Sequence, residues 1–217
     1  MMIMRKNKTE LVFILDKSGS MSGLETDTIG GFNAMLKKQQ KADGEAYVTT
    51  VLFNHDYELL HDRINVKGIS PMTDDDYEVG GTTALLDTIG FTLQKIMNVQ
   101  KRTSESERAD KVLFVITTDG MENASREYTA DKIKKMIQEQ KEKYGWEFIF
   151  LGANIDAVTT AAQFGIEEEF AVDYHADNKG TQLNYEAINE AVSSLRSGKK
   201  IERSWKEEIE RDYKHRN

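Results

Sequence analysis

Asp16-Lys17-Ser18-Gly19-Ser20 places one carboxylate and two hydroxyls directly after the apolar run Leu11-Val12-Phe13-Ile14-Leu15. A short, continuous, β-prone run of that kind reads as a buried strand. Ligands of open α/β sheets bind at the carboxyl ends of such strands. Hard oxygen donors crowded there suit a divalent cation such as Mg²⁺, which takes near-octahedral oxygen coordination and keeps several waters. Ser18 and Ser20 stand two apart, and Gly19 lets the backbone bend so that both hydroxyls can point at one ion. The simpler role for these serines is helix capping.

Other chemistry has less support. With no cysteine, disulfides, zinc–thiolate sites and cysteine nucleophiles are excluded. His55, His61, His175 and His215 form no i,i+4 pair and no His-Glu-x-x-His pattern. His55 and His61 are expected on the surface beside a hairpin. A phosphate-cradling Gly-x-x-x-x-Gly-Lys-Ser/Thr loop and a Gly-x-Ser-x-Gly nucleophile turn are both missing. Asp74-Asp75-Asp76 lacks EF-hand spacing and reads as a solvated acidic loop that could tune which partner approaches. An Asp after the first strand also occurs in phosphotransferases of the haloacid dehalogenase type. Those use Asp-x-Asp, and Ser18 here removes the general acid.

The elements that must position the cluster alternate in type. Met21–Lys41 is expected as a helix, with Ser20 and Ser22 offering caps and Ile29, Phe32 and Leu36 near helical spacing. Gly30-Gly31 within it implies close packing. Ala46–Phe53 and Tyr57–Ile64 read as a hairpin turning at Asn54-His55-Asp56. Asn65–Gly80 is a loop and Thr82–Val99 a helix, with Leu85, Ile89, Leu93 and Ile96 on one face. After a polar connection at 100–110, Lys111–Thr118 is a second buried strand. Thr129–Tyr144 is an amphipathic helix, Trp146–Leu151 a strand, and Asp156–Phe164 a short helix capped by Asp156. Glu169–Val172 is a last strand and Gln182–Leu195 the last helix of the core. This alternation predicts an α/β fold: a doubly wound, mostly parallel six-stranded sheet, one antiparallel edge strand, and helices on both faces.

Three loops then fall at one end of the sheet: Asp16-Lys17-Ser18-Gly19-Ser20, Gly80-Gly81-Thr82-Thr83 and Thr118-Asp119-Gly120. Together they resemble the von Willebrand factor A (VWA) domain and its metal-ion-dependent adhesion site (MIDAS), over roughly residues 9 to 197. That family's pattern is Asp-x-Ser-x-Ser, then a Thr, then an Asp. The resemblance assigns these positions to Asp16, Ser18, Ser20, Thr82 and Asp119, with Thr83 as the substitute for Thr82. It implies Mg²⁺ (or Mn²⁺) as the ion. Asp16 and Asp119 would offset its charge, Thr82 would be the movable ligand, and an Asp or Glu of a partner protein would fill the open position. The implied function is metal-dependent protein–protein recognition, with no catalysis. The alternatives are a metal-dependent phosphatase or hydrolase in the same crevice, and a scaffold that leaves the metal site unused. Bacterial intracellular relatives commonly work beside AAA-type ATPases, so such an ATPase is one partner expected by analogy.

Composition sets the setting. The 217 residues suffice for one sizeable domain, and the net charge of −8 disfavours nucleic acid as a partner. Residues 1–8 are too short and polar for a signal peptide, and no segment has the roughly 20 apolar residues of a membrane helix. A soluble, cytoplasmic protein with no membrane contact is expected. The domain is drawn over 1–197 and a C-terminal helical extension over 198–217. There Ile201, Trp205 and Ile209 form a narrow apolar stripe on a helix, read as docking onto the domain itself ahead of a partner or self-association site.

Overall fold

The nine residues Lys8–Asp16 form β1, and all nine are buried. A strand covered on both faces belongs inside a sheet sandwiched by helices. In the computed structural model, which describes residues 7–216, β1 pairs in parallel with β2 (Glu45–Phe53) and with β4 (Lys111–Thr118). β3 (Tyr57–Asn65) runs antiparallel beside β2 at one edge. β5 (Glu147–Gly152) and β6 (Ala171–Asp173) continue in parallel beyond β4. The order β3-β2-β1-β4-β5-β6 makes the expected six-stranded sheet with one antiparallel edge strand.

Alternation along β1 divides the interior. Leu11, Phe13 and Leu15 face a core shared with Phe32 and Leu36 of α1 (Glu25–Gln40) and Ile188 and Val192 of α5 (Asn178–Arg196). Val12 and Ile14 face a second core with Ile89 and Leu93 of α2 (Leu85–Arg102) and Ile133 and Ile137 of α3 (Ala130–Tyr144). α4 (Ala157–Gln163) joins that second layer, and Asp156 caps it by accepting from Thr159 N. The chain leaves β1 toward β2 on one side and returns as β4 on the other. The crevice of this doubly wound sheet therefore opens at the carboxyl ends of β1 and β4.

Several boundaries shift for physical reasons. α1 begins at Glu25, not Met21, because Gly23 takes φ +90° and breaks the chain between a single 3₁₀ turn (Gly19–Met21) and the helix. α2 begins at Leu85 because the backbone of Thr83 before it is bonded to Asn123 of another loop. His61 is buried and not on the surface: its ring bonds Thr50 Oγ1 at 2.9 Å and Ser70 O at 3.1 Å and stacks on Phe32. Gly31 is explained by Tyr185, whose Cδ2 would lie 2.3 Å from an added Cβ.

The tail is not one striped helix. Ile201 precedes a 3₁₀ turn (Arg203–Lys206) that holds Trp205, and Ile209 lies on α6 (Glu207–Arg216). All three are buried in the core shared by α1 and α5. No helix among the described residues is long and apolar enough to cross a membrane.

Glu10 on β1 is fully buried. Its Oε2 accepts from Arg63 Nε at 2.9 Å, and its Oε1 has no partner among the described residues. Burial pushes this carboxyl from 4.5 up to about 7, against the pull of the Arg63 guanidinium. The folded form then holds a proton that the unfolded chain has released, so stability falls as pH rises from 4.5 to about 7. Glu10→Gln is expected to flatten that fall by on the order of 3 kcal/mol. Urea midpoints of parent and variant at about pH 5 and about pH 8 read the difference. Equal pH slopes in the two proteins would refute it.

Candidate metal centre

β1 and β4 end side by side, and the carboxylate at the end of β1 is locked between them. Asp16 Oδ1 accepts from Ser18 N at 2.7 Å, and Oδ2 accepts from Thr118 Oγ1 at 2.5 Å. The Asp16 carbonyl accepts from the buried Tyr77 hydroxyl. The loop that follows is stitched to its neighbours through backbone. Lys17 N donates to Phe53 O at 2.7 Å, Gly80 N to Lys17 O at 2.9 Å, and Gly19 N to Gly81 O at 3.1 Å. Gly81 sits at φ +80°, and a Cβ there would fall 2.2 Å from His55 Nδ1. Only glycine fits that turn, which carries the Gly80-Gly81 segment onto the serine loop.

The oxygen donors converge above this frame. Ser18 Oγ and Ser20 Oγ are 3.1 Å apart, and Ser20 Oγ donates to Asp119 Oδ1 at 2.5 Å. A Cβ on Gly120 would lie 3.1 Å from both Ser20 Oγ and Thr83 Oγ1, and 3.8 Å from Ser18 Oγ. Thr83 is 4% exposed and its hydroxyl approaches that same point, while Thr82 is exposed. The cause is a reciprocal clamp: Asn123 Oδ1 accepts from Thr83 N at 2.9 Å, and Asn123 N donates to Thr83 O at 3.0 Å. Asn123 and Thr118 were not among the sequence candidates. Thr118 was legible as the residue before Asp119, whereas Asn123 had no spacing to mark it.

Electrostatics leave the cluster short of positive charge. Asp119 is 1% exposed, and its Oδ2 has no hydrogen-bond partner among the described residues. Burial first, and then the Asp16 charge, push its carboxyl up to about 6, against the Ser20 hydrogen bond. Burial likewise raises Asp16, against bonds from Ser18 and Thr118. Ser20 and Gly19 remain exposed, so the cluster opens to solvent on one side. No group of three or more His, Asp or Glu that could hold a metal ion occurs among the described residues. A cation here would rest on two carboxylates and on the hydroxyls of Ser18, Ser20 and Thr83. That all-oxygen set, with one buried carboxylate oxygen left unpaired, fits Mg²⁺ or Mn²⁺.

No protein-family model matches the chain, and no curated protein matches it. Solved structures do. A D319A mutant of the PilB minor pilin from Streptococcus sanguinis aligns with TM-score 0.62 at 12% identity, over 91% of this chain and 64% of that one. Proximal thread matrix protein 1 from the mussel byssus, in a structure with a zinc-occupied MIDAS motif, aligns with TM-score 0.57 at 14% identity, over 86% and 46%. A von Willebrand factor type A structure from Catenulispora acidiphila aligns with TM-score 0.55 at 10% identity, over 87% and 42%. The chain thus spans less than two thirds of each of these proteins. At such identities the likeness shows the fold, an α/β sheet of the VWA type.

Proposed function

We propose that this chain is a metal-dependent protein-recognition module without catalytic chemistry of its own. The observation that carries the reading is Asp119 Oδ2, a buried oxygen without a partner among the described residues, on the carboxylate whose other oxygen accepts from Ser20 Oγ. Asp16, Ser18, Ser20, Thr83 and Asp119 would hold Mg²⁺ or Mn²⁺, with Thr83 in the role first assigned to Thr82. When bound, the cation would supply a Lewis-acidic position open to an Asp or Glu of another protein. The chain's own residues prepare that position. Asp16 is immobilised by Ser18 and Thr118, and Gly81 brings the threonine loop against the serines. The fold shared with a protein whose MIDAS motif takes zinc is consistent with this reading.

Calorimetry with Mg²⁺ and Mn²⁺ tests it, and absence of metal heat in the intact protein would sink it. Steady turnover of small phosphate esters, lost in Asp16→Ala, would favour an enzyme instead. The two threonines separate cleanly. Thr83→Val is expected to weaken metal binding about tenfold or more, taking ligand loss to cost at least what loss of an outer-shell partner costs. Thr82→Val should leave the isotherm unchanged. The reverse result would restore Thr82 as the ligand.

A further inference from the structure

Building on the recognition reading above, we propose a particular partner chemistry for this face. The partner offers one isolated carboxylate, flanked by an apolar side chain that seats on Met121 and by basic residues. It does not offer an acidic run.

Met121 is 71% exposed, against 39–62% for Ile64, Phe91 and Tyr144, the other exposed large hydrophobic residues among the described residues. It directly follows Gly120, where an added Cβ would lie 3.1 Å from Ser20 Oγ and Thr83 Oγ1. Its chain neighbours are held on both sides. Asp119 sits in the cluster, and Glu122 is anchored at the start of α2, with Oε2 accepting from Leu86 N at 2.8 Å and Oε1 from Ala124 N and Ser125 N at 2.9 and 2.7 Å. Asn123 is clamped to Thr83, and Asp87 accepts from Arg126 N, Glu127 N and Tyr128 N. An apolar side chain presented on a pinned loop meets a partner without the cost of ordering that loop. A methionine there also adapts to varied apolar shapes.

The surrounding charge sets the second condition. Asp56 lies in the β2–β3 turn, Glu127 in the loop after β4, and Asp156 in the loop after β5. All three are exposed at the carboxyl end of the sheet. Exposed Asp74, Asp75 and Glu78 lie in the segment that Tyr77 and Gly80 tie to the serine loop. Arg126 and His55 are the exposed basic groups in these loops. Lys17 is buried and paired with Glu58. Such a rim repels a run of carboxylates and attracts lysine or arginine beside a single one.

The test uses the full chain with Mg²⁺ and two synthetic peptides, one centred on Lys-Leu-Glu-Leu-Lys and one on five consecutive Glu, with binding followed by calorimetry. The isolated-Glu peptide is expected to bind about tenfold or more tighter, with the gap narrowing as salt rises. Met121→Ala is expected to weaken that peptide about fivefold or more while leaving the metal isotherm unchanged. Metal binding with equal or tighter binding of the five-Glu peptide overturns this inference alone. So does metal binding with no effect of Met121→Ala, or with neither peptide bound. Absence of metal binding overturns the recognition reading, and this inference with it.

Discussion

Asp119→Asn is expected to lower the affinity for Mg²⁺ and Mn²⁺ by about a hundredfold or more, while the metal-free protein becomes more resistant to urea. The two effects have one cause. Asp119 is buried, its Oδ2 lacks a partner among the described residues, and the Asp16 carboxylate adds repulsion. A charge in that position destabilises the fold, and a bound cation would offset it. Asparagine keeps an oxygen to accept from Ser20 Oγ and removes the charge. Burial and the Asp16 charge raise the Asp119 carboxyl from 3.8 to about 6, so removing the charge should raise the urea midpoint at neutral pH. Loss of a ligand should exceed the tenfold to hundredfold typical of outer-shell substitutions, roughly. A variant that binds metal as the parent does would remove Asp119 from the ligand set. A variant destabilised without metal would make its role structural.

Trp205→Ala is expected to destabilise the protein by about 3–5 kcal/mol, a substantial share of the 5–15 or so that holds a domain together. Trp205 lies in the core formed by α1 and α5, and its Nε1 donates to Glu169 O at 2.9 Å. Lys206 beside it is 1% exposed, and its ammonium donates to Glu168 O at 2.6 Å and Ala171 O at 2.7 Å while pairing with Glu210 at 3.1 Å. These side chains satisfy carbonyls around the edge strand β6, which would otherwise be open to pairing with another chain. Ending the chain at 197 should therefore destabilise it more than Trp205→Ala does and promote self-association. Urea unfolding and sedimentation read the two effects. An unchanged midpoint after truncation would show the tail to be an appendage.

Much of the architecture was legible because burial on both faces writes itself into composition. Leu11–Leu15, Val112–Ile116 and Phe148–Leu151 are continuous apolar runs, as interior parallel strands must be. Helix starts were less legible. Ser20 was a plausible cap by type, yet its hydroxyl bonds Asp119, ninety-nine residues away. His61 looked like a surface residue of a hairpin until α1 and the loop at Ser70 closed over it.

The sequence by itself determined the alternation of strands and helices and the oxygen donors of Asp16, Ser18, Ser20 and Asp119, because local pattern and residue type carry that information. Tertiary structure decided which of two adjacent threonines is buried: Thr83 is 4% exposed, and Thr82 is exposed. Thr82 and Thr83 have the same side chain. The choice rests on the left-handed turn at Gly81 and on a clamp from Asn123, forty residues along the chain. It also decided the fate of the tail, since apolar side chains at 201, 205 and 209 could serve a partner or the chain's own core. Only the packing of β6 and α5 against them settles which surface is there to be covered.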